Sequence, residues 1–223
     1  MTSSEQTWLA CYKNLAPNKV LEQFIPLLGD VWQESKDKFS STSKENDVTR
    51  TLYYLLVRKC RDRLLAWGIC SQAEDVELDI QGVGHAFSYH DLRLSVSCHE
   101  YIYECKRLGC IGKATTYTEF SNNYVQKGMI RFLQPSPKQY SKDPQYRAWC
   151  GFAGMIGYVL EGDPMQAADA LIQSITKHAP AHTIERPTFP PPPDGITEHF
   201  LTCHTACNNS PVDMHHILLA LNE

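Results

Sequence analysis

The sequence predicts an α/β chain in which helices flank a mixed sheet, and three observations predict it. The first third repeats apolar residues at helical spacing, the stretch from Val76 to Cys105 alternates them with a period of two, and helical spacing returns after Lys106. With 223 residues, 43% hydrophobic and 21% charged, the chain has the makings of an ordinary globular core.

Taken in order, Val20, Phe24, Leu27, Leu28 and Val31 line one face of a first helix. Pro26 interrupts that pattern and is expected to kink the helix or begin a second one. Residues 35–46, rich in Ser and Lys, read as an exposed linker. Asp47 is a good N-cap for a helix that runs to about Trp67, with Val48, Leu52, Leu55, Leu56 and Leu64 on its apolar side. Strand candidates follow at Val76–Ile80, Leu92–Ser97 and Tyr101–Cys105.

After Lys106 a helix is expected over Thr118–Phe132, a small-residue helix near Ala148–Leu160, and another at Pro164–His178. Gly154 and Gly157 in the second of these read as points of close helix packing. Pro190 to Pro193 form a stiff polyproline spacer before two last strands, Glu198–Cys207 and Val212–Leu221. The expected organisation is one domain over 1–223: a helical extension at 1–45, a core at 46–160 and a C-terminal hairpin at 190–223.

Several functional classes fall away. No apolar run approaches the roughly 20 residues a membrane helix needs, and the first residues lack the layout of a signal peptide. Nine scattered cysteines favour reduced thiols and a cytoplasmic setting. Neither a phosphate-binding Walker loop nor a dinucleotide fingerprint is present. The net charge of −4 is unevenly spread: residues 106–147 hold eight Lys or Arg against two acidic residues. Such a basic stretch suits a polyanionic partner, because screening makes the local patch matter more than the total. Lys127 and Arg131, one helical turn apart, are the candidate phosphate contacts.

The chemistry is concentrated in Asp91 to Lys106. If the two strands form a hairpin centred on Cys98 and His99, Arg93 opposes Glu104 and Asp91 opposes Lys106. Asp91, Arg93, Ser95, Ile102, Glu104 and Lys106 then share one face, expected at the solvent side. Leu92, Leu94, Val96, Tyr101, Tyr103 and Cys105 share the other, expected in the core. Two carboxylates and a lysine in one patch suit phosphodiester hydrolysis. Mg²⁺ takes one or two carboxylates, and Asp91 and Glu104 with the Cys105 carbonyl could hold it. Lys106 could orient a water or stabilise developing charge. The plainer reading of Glu-x-Lys is a surface charge pair on a solvated strand.

This arrangement resembles the PD-(D/E)xK, or restriction-endonuclease-like, nuclease superfamily. There an Asp begins one strand, Glu-x-Lys lies on its antiparallel neighbour, and a carboxylate from the preceding helix often joins. Asp91, Glu104 and Lys106 match the three motif positions; Glu45 or Asp47 fits the fourth, and Asp79 is a rival for the aspartate. His90 stands where the eponymous Pro would sit. The resemblance covers roughly residues 45–110 and implies a restriction-endonuclease-like fold and a Mg²⁺- or Mn²⁺-dependent endonuclease acting on nucleic acid, with DNA favoured over RNA. It implies metal ligands at Asp91, Glu104 and Glu45. Tyr124 to Phe132, Tyr140-Ser141 and Gly154 to Tyr158 further resemble segments of nucleases of bacterial anti-phage defence systems.

Two competing readings remain. A chain this small with no targeting module is expected to act with a protein partner or as a homo-oligomer, and a non-catalytic subunit binding nucleic acid or a partner is the alternative to the enzyme. His199, Cys203, His204, Cys207, His215 and His216 could hold zinc, but no Cys-x-x-Cys pair completes a familiar pattern. On a strand, Cys203 and Cys207 would share one face and His204 the other.

Overall fold

The computed structural model describes residues 17–66, 91–96, 99–109, 117–133, 151–179, 181, 183–185, 194–206 and 209–221. Helix α1 is Pro17–Ser35 and α2 is Glu45–Ala66, joined through a short 3₁₀ turn at Lys36–Lys38. Strands β1 (Asp91–Val96) and β2 (His99–Leu108) follow. Next come α3 (Tyr117–Tyr124), a π turn (Val125–Met129) and α4 (Ile130–Leu133). Strand β3 (Phe152–Val159), α5 (Pro164–His178) and strands β4 (Thr183–Glu185), β5 (Glu198–Thr205) and β6 (Pro211–Ala220) complete the order.

The described strands form one six-stranded mixed sheet in the order β1-β2-β3-β6-β5-β4. Its centre is parallel, β2 beside β3 beside β6, while β1, β5 and β4 are antiparallel to their neighbours. Both faces of a parallel centre must be covered, and both are. On one face Leu21, Phe24, Leu28, Val31 and Trp32 of α1 and Val48, Leu52 and Leu56 of α2 pack on Leu92, Tyr103, Ile156, Tyr158, Ile217 and Leu219. The Trp32 indole donates to the Ala220 carbonyl at 2.8 Å, which ties α1 to the end of β6. On the other face Tyr124, Val125, Met129 and Phe132, with Ala168 and Leu171 of α5, pack on Leu108, Met155, Val159, Met214 and Leu218.

Several expectations hold and several are corrected. Helix α1 runs through Pro26 without a second start. Helix α2 begins at Glu45, two residues before Asp47, with the Lys44 carbonyl accepting from the Asp47 and Val48 amides. Helix α5 spans the expected Pro164–His178, and Asp163 caps it, its carboxylate accepting from the Met165 amide at 2.8 Å. The expected helix at Ala148–Leu160 is instead strand β3, buried along its whole length. Its small residues admit neighbouring side chains: a Cβ on Gly154 would meet the Tyr103 ring at 2.3 Å, and one on Gly157 would meet Leu108 at 2.4 Å. The glycines therefore serve strand packing rather than helix packing. Val76–Ile80, Asp79, His90, Tyr140-Ser141 and the polyproline run lie outside the described residues. Among the described residues, no helix is long and apolar enough to cross a membrane.

Candidate active site

The hairpin carrying the motif is paired two residues away from the expected register. Asp91 opposes Glu104, Arg93 opposes Ile102, and Val96 opposes His99, so only residues 97 and 98 separate the strands. The shift is even, so the predicted division into two faces survives. What changes is proximity: Asp91 lies across from Glu104 itself, not from Lys106. Backbone register is what brings Asp91 to Glu104.

The face holding Glu104 and Lys106 is not the solvent side. Helix α3, the π turn and α4 cover it, and Glu104 is 0% exposed. The reason lies in the crossover from β2 to the parallel strand β3, which lays its helical segment on that face. Gly128 of the π turn allows the close approach. A Cβ there would lie 2.6 Å from Met155 Cε, 3.4 Å from Glu104 Cγ and 3.5 Å from Lys106 Cγ.

A carboxylate this deep must be paired. Glu104 Oε1 takes the Lys106 ammonium and, at 2.9 Å, Nη1 of Arg131 from α4. The Lys106 ammonium also donates to the Cys105 carbonyl at 2.9 Å and lies 3.5 Å from Glu45 Oε1. The other oxygen of Glu45, Oε2, accepts from the Arg107 amide at 2.7 Å. Glu45 can reach β2 because α2 begins at that residue. Thr49, one turn on, donates to the Glu45 carbonyl at 3.0 Å, and its hydroxyl also bonds the buried Tyr158 hydroxyl at 3.0 Å. The Arg107 guanidinium donates to the Ser41 and Ser43 carbonyls, fastening the loop before α2 to the end of β2. A cleft of about 500 Å³ opens beside this loop, lined by Lys36, Asp37, Phe39, Ser40, Ser41, Leu160, Glu161 and Leu221. It sits at the carboxyl ends of β3 and β6, where open α/β sheets commonly receive ligands.

Of the predicted residues, then, Glu45, Glu104 and Lys106 meet in one cluster, and Asp91 is paired in register with Glu104. Asp47, the rival to Glu45, lies beyond it in the first turn of α2. Lys127 is exposed, as a phosphate contact needs. Arg131 is not its partner on a helix surface: its guanidinium turns inward onto Glu104, because the segment between them is a π turn and not an α-helical one. The inward course of Arg131 had no signal in the sequence beyond Gly128, three residues before it.

The C-terminal histidines divide between the two sheet faces. Among the described residues, no group of three or more His, Cys, Asp or Glu could hold a metal ion. His204 and His216 join Tyr124 and Thr202 in a buried chain: Tyr124 hydroxyl to His216 Nδ1 at 3.0 Å, His216 Nε2 to Thr202 at 2.8 Å, and Thr202 to His204 at 2.7 Å. His199 and His215 meet at 3.3 Å on the opposite face. Cys203 shares their face, as alternation requires, and Cys207 lies outside the described residues. Burial lowers the pKa of His199 to about 4 and, with the neighbouring His199, that of His215 to about 3, while burial holds His216 well below its ordinary 6.5.

These rings make stability depend on pH in a stated direction. In the unfolded chain they take up protons as pH falls below 6.5, whereas the folded protein resists doing so until about 4 and 3. Stability is thus full above 6.5 and is lost as pH falls through that window. Urea denaturation at pH 7.5 and pH 5 should show a loss on the order of 1–2 kcal/mol per ring. The double substitution His199→Gln and His215→Gln should flatten the slope; an unchanged slope would mean the rings protonate freely in the fold.

No family model, no curated protein and no solved structure matches this chain.

Proposed function

We propose that the chain is a metal-dependent nuclease that hydrolyses phosphodiester bonds of nucleic acid, DNA in preference to RNA, on a restriction-endonuclease-like core. One observation carries the reading: Glu45 from α2, Glu104 and Lys106 from β2 and Arg131 from α4 form a single ion cluster, with Asp91 across the hairpin from Glu104. Chance surface charge pairs do not link α2, β2 and α4 through one lysine and a fully buried carboxylate.

The described side chains bring two carboxylates, Glu45 and Glu104, to the cluster; with Asp91 from across the hairpin as a third, it would suit a hard divalent cation. Its donors are all oxygens, and the Lys106 ammonium already lies among two carboxylates and the Cys105 carbonyl. Glu104, Glu45, Asp91 and that carbonyl would hold Mg²⁺ or Mn²⁺, which supplies Lewis acidity and a water of lowered pKa. The protein's own residues then have distinct tasks. The carboxylates fix the site, Lys106 places positive charge beside the reacting phosphate, and exposed Lys127 offers a contact to the nucleic-acid backbone. A place in anti-phage defence rests on the resemblance alone.

Incubation with plasmid, linear and single-stranded DNA and with RNA, in Mg²⁺, Mn²⁺ or EDTA, tests the reading. Cleavage of DNA in either metal and none in EDTA is expected. Binding without cleavage under every condition would leave the chain a non-catalytic nucleic-acid-binding subunit.

A further inference from the structure

We propose that Arg131, which lies outside the Asp91, Glu104, Lys106 motif, is a positioning residue that holds the Glu104 carboxylate and sets how tightly it grips a divalent cation. The inference rests on the metal-dependent reading above. Glu104 is 0% exposed, so its orientation is fixed by what it touches rather than by water. Lys106 stands on the same strand, two residues away, and is tethered to the Cys105 carbonyl. Arg131 arrives from a different element, and its Nη1 meets the same oxygen, Oε1, at 2.9 Å. The two contacts from two directions fix the carboxylate laterally.

The path of the chain is built for this contact. A π turn is wider than an α turn, so residues beyond Val125–Met129 face differently from where α spacing would put them. Gly128 lets the turn settle on the Glu104 and Lys106 stems. The side chain of Arg131 remains 26% exposed, open enough on one side to answer to the site's contents.

The charge has a second consequence. In the described cluster two cations, Lys106 and Arg131, stand with two carboxylates, Glu45 and Glu104. A divalent cation on Glu104 is repelled by the guanidinium that shares its oxygen. Removing Arg131's charge should therefore tighten metal binding while loosening the carboxylate that chemistry needs aligned. A residue with only a structural role would not move the two quantities in opposite directions.

The test uses the full chain, with Mn²⁺ affinity measured calorimetrically without nucleic acid and cleavage measured at saturating Mn²⁺. Arg131→Gln should bind Mn²⁺ about tenfold more tightly and cleave at least about tenfold more slowly. Arg131→Lys keeps the charge, so its Mn²⁺ affinity should stay within about threefold of wild type and part of the rate should return. Wild-type affinity and rate in Arg131→Gln overturn the proposal. So does a parallel fall in affinity, rate and melting temperature, which marks a structural role. If Arg131→Gln does not fold, Arg131→Lys decides: with the charge kept, a Mn²⁺ affinity more than about threefold from wild type overturns the proposal. Glu104→Gln separates the two readings. If it abolishes Mn²⁺ binding while Arg131→Gln behaves as wild type, only the Arg131 assignment fails. If wild type itself binds no Mn²⁺, the metal-dependent reading fails and takes this one with it.

Discussion

Glu104→Gln should lower cleavage by on the order of 10³ or more, the loss of several kcal/mol that removing a metal-holding carboxylate entails. The substitution preserves volume in a position with no exposure, so it creates no cavity. It does remove the one charge that Lys106 and Arg131 share. Leaving two cations against a neutral amide should cost roughly 3 kcal/mol of stability. Melting curves and circular dichroism therefore accompany the assay, which is run well below the variant's midpoint. Asp91→Asn, across the hairpin, should lose cleavage comparably. A folded Glu104→Gln protein that cleaves within about tenfold of wild type would remove Glu104 from the chemistry.

The parts of the fold that the sequence made legible are the segments with a clear run of apolar residues between turn signals. The helix expected at Pro164–His178 is α5, and the last pair of strand candidates, Glu198–Cys207 and Val212–Leu221, correspond to β5 and β6. Strand β3 was misread because Phe152 to Val159 is apolar on both faces, and a short apolar run of that kind has no period to separate strand from helix. Its two glycines strengthened the error. In the structure they make room for Tyr103 and Leu108, partners that only tertiary packing supplies.

The site shows the same division. Strand parity placed Glu104 and Lys106 together, and parity is indifferent to a register slip of two, so the faces came out right while the cross-strand partners did not. Burial could not be read, because a polar strand face looks solvated until a crossover helix is known to cover it. Arg131 illustrates the cost of that blindness. Counted at α spacing it belongs with Lys127 on a basic surface; with a π turn in between it becomes a partner of Glu104. Glu45 was reachable in advance only through the resemblance, since nothing in residues 41–47 alone says that they dock on β2. The contacts from Arg107 to Ser41, Ser43 and Glu45 are what bring them there.

Lys106→Met should slow cleavage by on the order of 10², as loss of one transition-state stabiliser does, while substrate affinity falls far less. Methionine keeps the apolar stem that runs beside Gly128 and removes only the ammonium. Arg131 still neutralises Glu104 in this variant, so the melting temperature should drop less than in Glu104→Gln. Affinity is measured in Ca²⁺, which supports binding without turnover. Exposed Lys127, which this substitution leaves untouched, remains to meet phosphate. The ammonium also lies against Glu45 at 3.5 Å, so its removal frees charge on both carboxylates and should tighten divalent-cation binding. Slower cleavage with tighter metal binding and nearly unchanged substrate affinity is thus the signature of a residue acting in the chemical step. A variant that binds nucleic acid poorly yet cleaves what it binds at the normal rate would make Lys106 a docking residue instead.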